Sequence, residues 1–232
     1  MRAAILLLLA ALLLSGCSAG SQGQTTMTAE QQFSFLALGD SYTVGQSVPA
    51  AEGWPVQLAA ALREEGIAMG EPTIIARTGW TTGDLLRGIE AQGEMESYDL
   101  VSLLIGVNDQ FQVFSIEGYQ QRFRELLGIA IRAAGERPER VLVLSIPDWE
   151  YTPYAESIDR QNISAEIDAF NGVNRAESEA AGVHYFDITP TTRPVAFDAA
   201  LFAEDGLHPS AKMYALWVDL VLPYVVELFA GE

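Results

Sequence analysis

Ser41 stands in Gly39-Asp40-Ser41-Tyr42, directly after the apolar run Phe33-Ser34-Phe35-Leu36-Ala37-Leu38. A serine placed where a buried strand breaks at a glycine can project its hydroxyl from the edge of a parallel sheet. Open α/β folds put ligands and chemistry at that edge. A serine hydroxyl is a weak nucleophile, so the chemistry also requires a base, an acid that orients the base, and donors for an oxyanion. Asp205 and His208 stand three apart in Asp205-Gly206-Leu207-His208-Pro209, a spacing at which the two can meet across a turn. A carboxylate there can accept from one imidazole nitrogen, fix the tautomer whose other nitrogen faces the serine, and stabilise the imidazolium. Pro209 is expected to start the last helix, with His208 just before its first turn.

Those residues need a frame that brings distant segments to one edge. Short apolar runs suit strands at Phe33–Leu38, Thr73–Arg77, Leu100–Ile105, Arg140–Ile146 and Val183–Asp187. The runs Leu100–Ile105 and Val141–Leu144 are almost uninterrupted, as strands covered on both faces should be. Helical patterns alternate with them at Trp54–Glu65, Thr82–Gln92, Ile116–Ala134, Ile163–Ala181 and from about Ser210 to Phe229. Five such alternations predict an α/β fold, a doubly wound, flavodoxin-like three-layer α/β/α sandwich on a five-stranded parallel sheet. In that fold the loops after the strand ends share one edge. Ser41, Arg77-Thr78-Gly79-Trp80 and Gly106-Val107-Asn108-Asp109 follow the first three strands, and Asp205–His208 lies in the last long loop.

Together these four blocks resemble the SGNH hydrolases, the GDSL esterase/lipase family, over about Phe33 to Phe229. Gly39-Asp40-Ser41 matches the nucleophile block, with Tyr42 in place of the leucine that named the family. Gly79 matches the second-block glycine, with Gly83 as a competitor, and Gly106–Asp109 and Asp205–His208 match the other two blocks. The resemblance implies that Ser41 is the nucleophile, His208 the base and Asp205 its orienting partner. It also implies an oxyanion hole made by the Ser41 and Gly79 amides and the Asn108 side chain. Read alone, Ser41 could cap a helix and Asn108 could bond its own turn. Asp40 and Asp109 are expected to be structural, and His184 to be a sheet residue. Acidic residues do not cluster with histidines at metal-ligand spacing, so no metal and no cofactor is expected.

The implied activity is carboxylic-ester hydrolysis through an acyl-enzyme. The expected partner is a small-molecule, lipid or sugar ester. A carbohydrate O-deacetylase, an O-acyltransferase or a non-catalytic surface binding protein are the alternatives. Trp80, Phe111, Phe114, Trp149, Tyr151, Tyr154 and Phe202 lie in loops beside the expected site and could line a cleft or seal those loops onto the core. Pro147–Tyr154 leaves the fourth strand at that edge and is the expected specificity loop.

The 232-residue chain is 49% hydrophobic and carries a formal charge of −18, which fits one globular domain over 33–232 and argues against nucleic-acid binding. Arg2, the apolar stretch Ala3–Leu14 and Leu14-Ser15-Gly16-Cys17 resemble a bacterial lipoprotein signal over 1–16. That resemblance implies lipidation of Cys17, the sole cysteine, and a cell-envelope location with membrane contact through the anchor. Signal cleavage near Ala19 or a free buried thiol are the other readings. Residues 17–32, rich in Ser, Gly, Thr and Gln, read as a flexible tether with a reach of roughly 20 Å.

Overall fold

A computed structural model describes residues 32–193 and 198–230. The expected leader, Cys17 and all but the last residue of the expected tether lie outside the described residues. Five strands, β1 (Phe35–Gly39), β2 (Thr73–Ala76), β3 (Leu100–Leu104), β4 (Val141–Leu144) and β5 (His184–Phe186), form one all-parallel sheet in the order β2-β1-β3-β4-β5. That order belongs to the flavodoxin-like doubly wound sheet. Burial follows the sequence pattern. The three inner strands are buried at every residue, whereas edge strands β2 and β5 are partly exposed.

Among the described residues, seven α-helices complete the layers: α1 (Ser41–Val44), α2 (Trp54–Glu64), α3 (Thr82–Glu90), α4 (Val107–Phe111), α5 (Ile116–Ala133), α6 (Ile163–Ala180) and α7 (Ala211–Phe229). α2 packs on α7, while α5 packs against both α3 and α6, so helices cover both sheet faces. Trp54, Tyr119, Phe123, Tyr214 and Trp217 are fully buried between these layers and the sheet. Side-chain caps set several helix starts. Thr81 and Asp84 form a reciprocal capping box on α3, and Ser115 accepts from the Gly118 amide on α5.

α1 and α4 escape a pattern-based reading because each is barely one turn long. Both begin directly at strand ends and carry Ser41 and Asn108. Gly39 makes the first of these turns possible. A Cβ there would collide with the Thr43 hydroxyl and come within 2.5 Å of the Leu104 carbonyl. The last helix begins later than Pro209. Ser210 is its cap, accepting from the Met213 amide at 3.4 Å, while Pro209 pairs with Phe202 in an antiparallel bridge. His208 is therefore held by a hairpin and not by the helix start. Among the described residues, no helix is long and apolar enough to cross a membrane.

Candidate active site

Ser41 opens α1, and Asp40 caps that turn through a 3.0 Å bond from the Tyr42 amide to its Oδ1. Asp40 is fully buried, and among the described residues its Oδ2 has no partner. Loss of hydration pushes its carboxyl up to about 8, so at neutral pH it is largely a neutral acid. This is the structural role expected from sequence, with an unusual protonation state.

The hairpin after β5 presents the second component. His208 O accepts from Ala203 N at 2.8 Å, Leu201 O accepts from Ser210 N at 2.9 Å, and Gly206 O accepts from Tyr154 N at 2.9 Å. Within this frame His208 Nδ1 lies 2.6 Å from Asp205 Oδ2. Asp205 Oδ1 accepts from the Leu207 and His208 amides, both at 2.9 Å, and Oδ2 also accepts from Ser47 Oγ at 2.5 Å. Partial burial pushes the Asp205 carboxyl up, but these hydrogen bonds outweigh it and hold the group well below the usual carboxylate range. An ionised Asp205 makes Nδ1–H the donor and leaves Nε2 as the basic nitrogen. The Tyr42 ring packs beside the imidazole, 5.6 Å between centroids, and meets Trp217 edge-on at 6.2 Å.

Asn108 lies in the first turn of α4 and donates from Nδ2 to the Trp80 carbonyl at 2.9 Å. It thus bonds the loop after β2 and not its own turn. Asp109, the next residue, is fully buried and accepts from the Thr82 amide at 2.8 Å, from the Thr82 hydroxyl at 2.5 Å and from Arg122 at 3.2 Å. Burial still pushes its carboxyl upward. Its structural role agrees with expectation. Gly79 has φ +82° with nothing within 4 Å of a built Cβ, a backbone that glycine adopts at little cost.

A cleft of about 180 Å³ draws these parts together. Ser41, Gly79, Asn108 and His208 line it with Thr78, and its apolar wall is Tyr42, Val107, Phe111, Trp149, Tyr154 and Leu207. Asp205 stands behind His208. Among the described residues, no hydrogen bond joins the Ser41 hydroxyl to the imidazole. Gly83 lies in the first turn of α3 beside Arg87 and Arg122, away from this wall. His184 lies on edge strand β5, stacked 4.2 Å from Tyr224.

The sequence model of the GDSL-like lipase/acylhydrolase family matches residues 37–216, well over half the chain. The chain belongs to this family. No curated protein matches the sequence. Among solved structures the chain is similar to TesA, with 22% identity, a TM-score of 0.66, and coverage of 84% of this chain and 99% of that one. It is also similar to the esterase EstA from Pseudoalteromonas sp., with 20% identity, a TM-score of 0.64, and 86% and 100% coverage. A third is the lipase/acylhydrolase from Enterococcus faecalis, with 20% identity, a TM-score of 0.64, and 85% and 97% coverage. At these identities the likeness shows a shared α/β fold, in agreement with the sheet order.

Of the aromatic residues expected beside the site, Phe111, Trp149 and Tyr154 reach the cleft. The other four fall outside its lining: Trp80 packs its ring on Gly88 of α3, and Phe114 lies under Arg122. The 147–154 segment contributes Trp149 and Tyr154, anchored by buried Asp148. That carboxylate accepts from Glu150 N, Ser164 Oγ and Arg193 Nε. Sequence reasoning missed Gln110, whose buried amide accepts from Trp149 Nε1 at 2.9 Å and donates to Glu166 at 2.6 Å. Arg160 completes this network by bonding the Gln110 and Phe111 carbonyls and Glu166. The partners are 39 to 56 residues away, so nothing local marks Gln110.

Proposed function

We propose that the protein hydrolyses carboxylic esters through an acyl-Ser41 intermediate. The observation that carries this reading is the Asp205–His208 pair, 2.6 Å apart, with its imidazole lining the same cleft as Ser41, Gly79 and Asn108. Ser41 Oγ attacks the ester carbonyl as His208 Nε2 takes its proton, and the resulting imidazolium is stabilised by Asp205. The Ser41 and Gly79 amides and Asn108 Nδ2 hold the oxyanion, where charge develops in the transition state. Collapse expels the alkoxide, which His208 protonates. Water then attacks the acyl-enzyme with His208 again as base, and the acid leaves.

The apolar wall of Val107, Phe111, Trp149, Tyr154 and Leu207 suits an uncharged acyl group, and the chain's net charge of −18 disfavours anionic esters. We further propose that Cys17 carries a lipid anchor that keeps the domain at the cell envelope. Turnover across nitrophenyl esters of increasing acyl length, beside acetylated sugars, tests the reaction and its substrate class. Preferential turnover of the acyl esters is expected, and release of acetate from sugars alone would favour an O-deacetylase. Mass spectrometry of the mature N-terminus tests the anchor, which requires a diacylated or triacylated Cys17 that Cys17→Ser abolishes.

A further inference from the structure

One short turn touches the nucleophile helix and two of the loops that meet at the site. Gln46 and Ser47 follow α1, and the Gly45 and Gln46 amides both bond back to the Ser41 carbonyl, at 3.1 and 3.0 Å. On one side, Gln46 Oε1 accepts from Thr78 Oγ1 at 2.6 Å, and Thr78 immediately precedes Gly79. On the other, Ser47 Oγ donates to Asp205 Oδ2, the oxygen that also meets His208 Nδ1. Ser47 takes φ +68°, a left-handed backbone that non-glycine residues seldom adopt. Strain of this kind persists where the surroundings hold it.

The two oxygens of Asp205 are held differently. Oδ1 is fixed by amides of its own loop, Leu207 and His208. Oδ2 meets the imidazole and Ser47. Among the described residues, Ser47 is the single donor to this carboxylate from outside its loop. Its hydroxyl therefore limits rotation of the carboxylate and ties the acid–base loop to the segment that carries the nucleophile.

We propose that Ser47 is a positioning residue for the Asp205–His208 pair, acting from a turn that Gln46 also fastens to the Gly79 loop. This inference rests on the acyl-transfer reading of the site. Small errors of alignment are costly in such a relay, yet Ser47 is exposed and water competes for its bond. The expected loss is about tenfold in rate, the low end of what a hydrogen bond to a charged group supplies.

Two substitutions separate positioning from turn stability. Ser47→Gly removes the donor while relieving the left-handed backbone. Ser47→Asn keeps a donor on a residue that tolerates that backbone. Ester turnover and thermal melting are measured for both beside the wild type. The proposal expects Ser47→Gly to melt at or above the wild-type temperature, with kcat about tenfold lower and KM within twofold. It expects Ser47→Asn to recover most of that kcat. Wild-type kcat in Ser47→Gly, or no recovery in Ser47→Asn relative to Gly, would overturn it. A wild type that turns over no ester removes the acyl-transfer reading itself, and with it the brace. Normal wild-type turnover with an unaffected glycine variant removes the brace alone.

Discussion

Asn108 Nδ2 donates to the Trp80 carbonyl at 2.9 Å, joining the helical turn after β3 to the loop after β2. A carboxamide has two N–H donors, so this bond fixes the group with one hydrogen and leaves the other for a ligand. The same bond ties Asn108 to the residue after Gly79, and so links two of the three expected oxyanion donors.

Truncating Asn108 therefore removes a preorganised donor. Asn108→Ala is expected to lower kcat by about 10²–10³-fold with a small change in KM, as loss of an oxyanion-hole donor does. Steady-state kinetics on one nitrophenyl ester measures this. Near-wild-type kcat would exclude Asn108 from the hole.

Gly79→Ala introduces a Cβ into open space but forces a left-handed residue. It is expected to cost about 1–2 kcal/mol of stability and to lower kcat by turning the amide away. Gly66 has φ +85° with equally open surroundings, and it follows α2 far from the cleft. Gly66→Ala should lose similar stability while kcat holds. Equal kcat losses in the two variants would contradict a role for the Gly79 amide.

Asp40 gives a pH signature opposite to that of a paired carboxylate. Its folded-state value, about 8, lies above the ordinary aspartate value near 3.9 of an unfolded chain. Between these values the folded protein keeps a proton that the unfolded chain has released. The Asp40 contribution to stability therefore falls as pH rises from about 4 to about 8 and is level above that. Asp40→Asn keeps an oxygen for the Tyr42 amide and removes the titration. Melting temperatures taken across this range should show the wild type losing ground to Asp40→Asn as pH rises. A constant difference would contradict a buried, protonated Asp40.

Phe111 is 44% exposed at the rim of the cleft, with the Arg160 guanidinium over its ring. Phe111→Ala should leave the melting temperature almost unchanged. It should lower kcat/KM for butyryl and longer esters about tenfold relative to acetyl, the scale of one or two apolar contacts in a binding pocket. An equal loss on all esters would place Phe111 in loop structure instead of acyl recognition.

The sheet was legible because inner strands buried on both faces read as unbroken apolar runs. β3 and β4 are the clearest examples, and their observed bounds lie within the expected ones. That Ser41, Gly79, Asn108 and the Asp205–His208 pair meet at one cleft was legible because each belongs to a short block at a strand end or in the last loop. The turns that carry Ser41 and Asn108 were not, since a helix of four or five residues has no period to read. Ser47 and Gln110 were invisible for another reason. Each is a lone polar residue whose meaning depends on a distant partner, and Ser47 meets Asp205 across 158 positions. The start of α7 lies within one residue of the expected Ser210, but Pro209 does not open the helix: it closes a bridge to Phe202, and Ser210 supplies the cap.

Covalent labelling with a fluorophosphonate tests most directly whether Ser41 is an activated nucleophile. The folded protein is expected to take up about one label per chain on Ser41, with labelling abolished in Ser41→Ala and strongly slowed in His208→Ala. A folded wild type that takes up no label, or labels equally well as Ser41→Ala, would contradict the account.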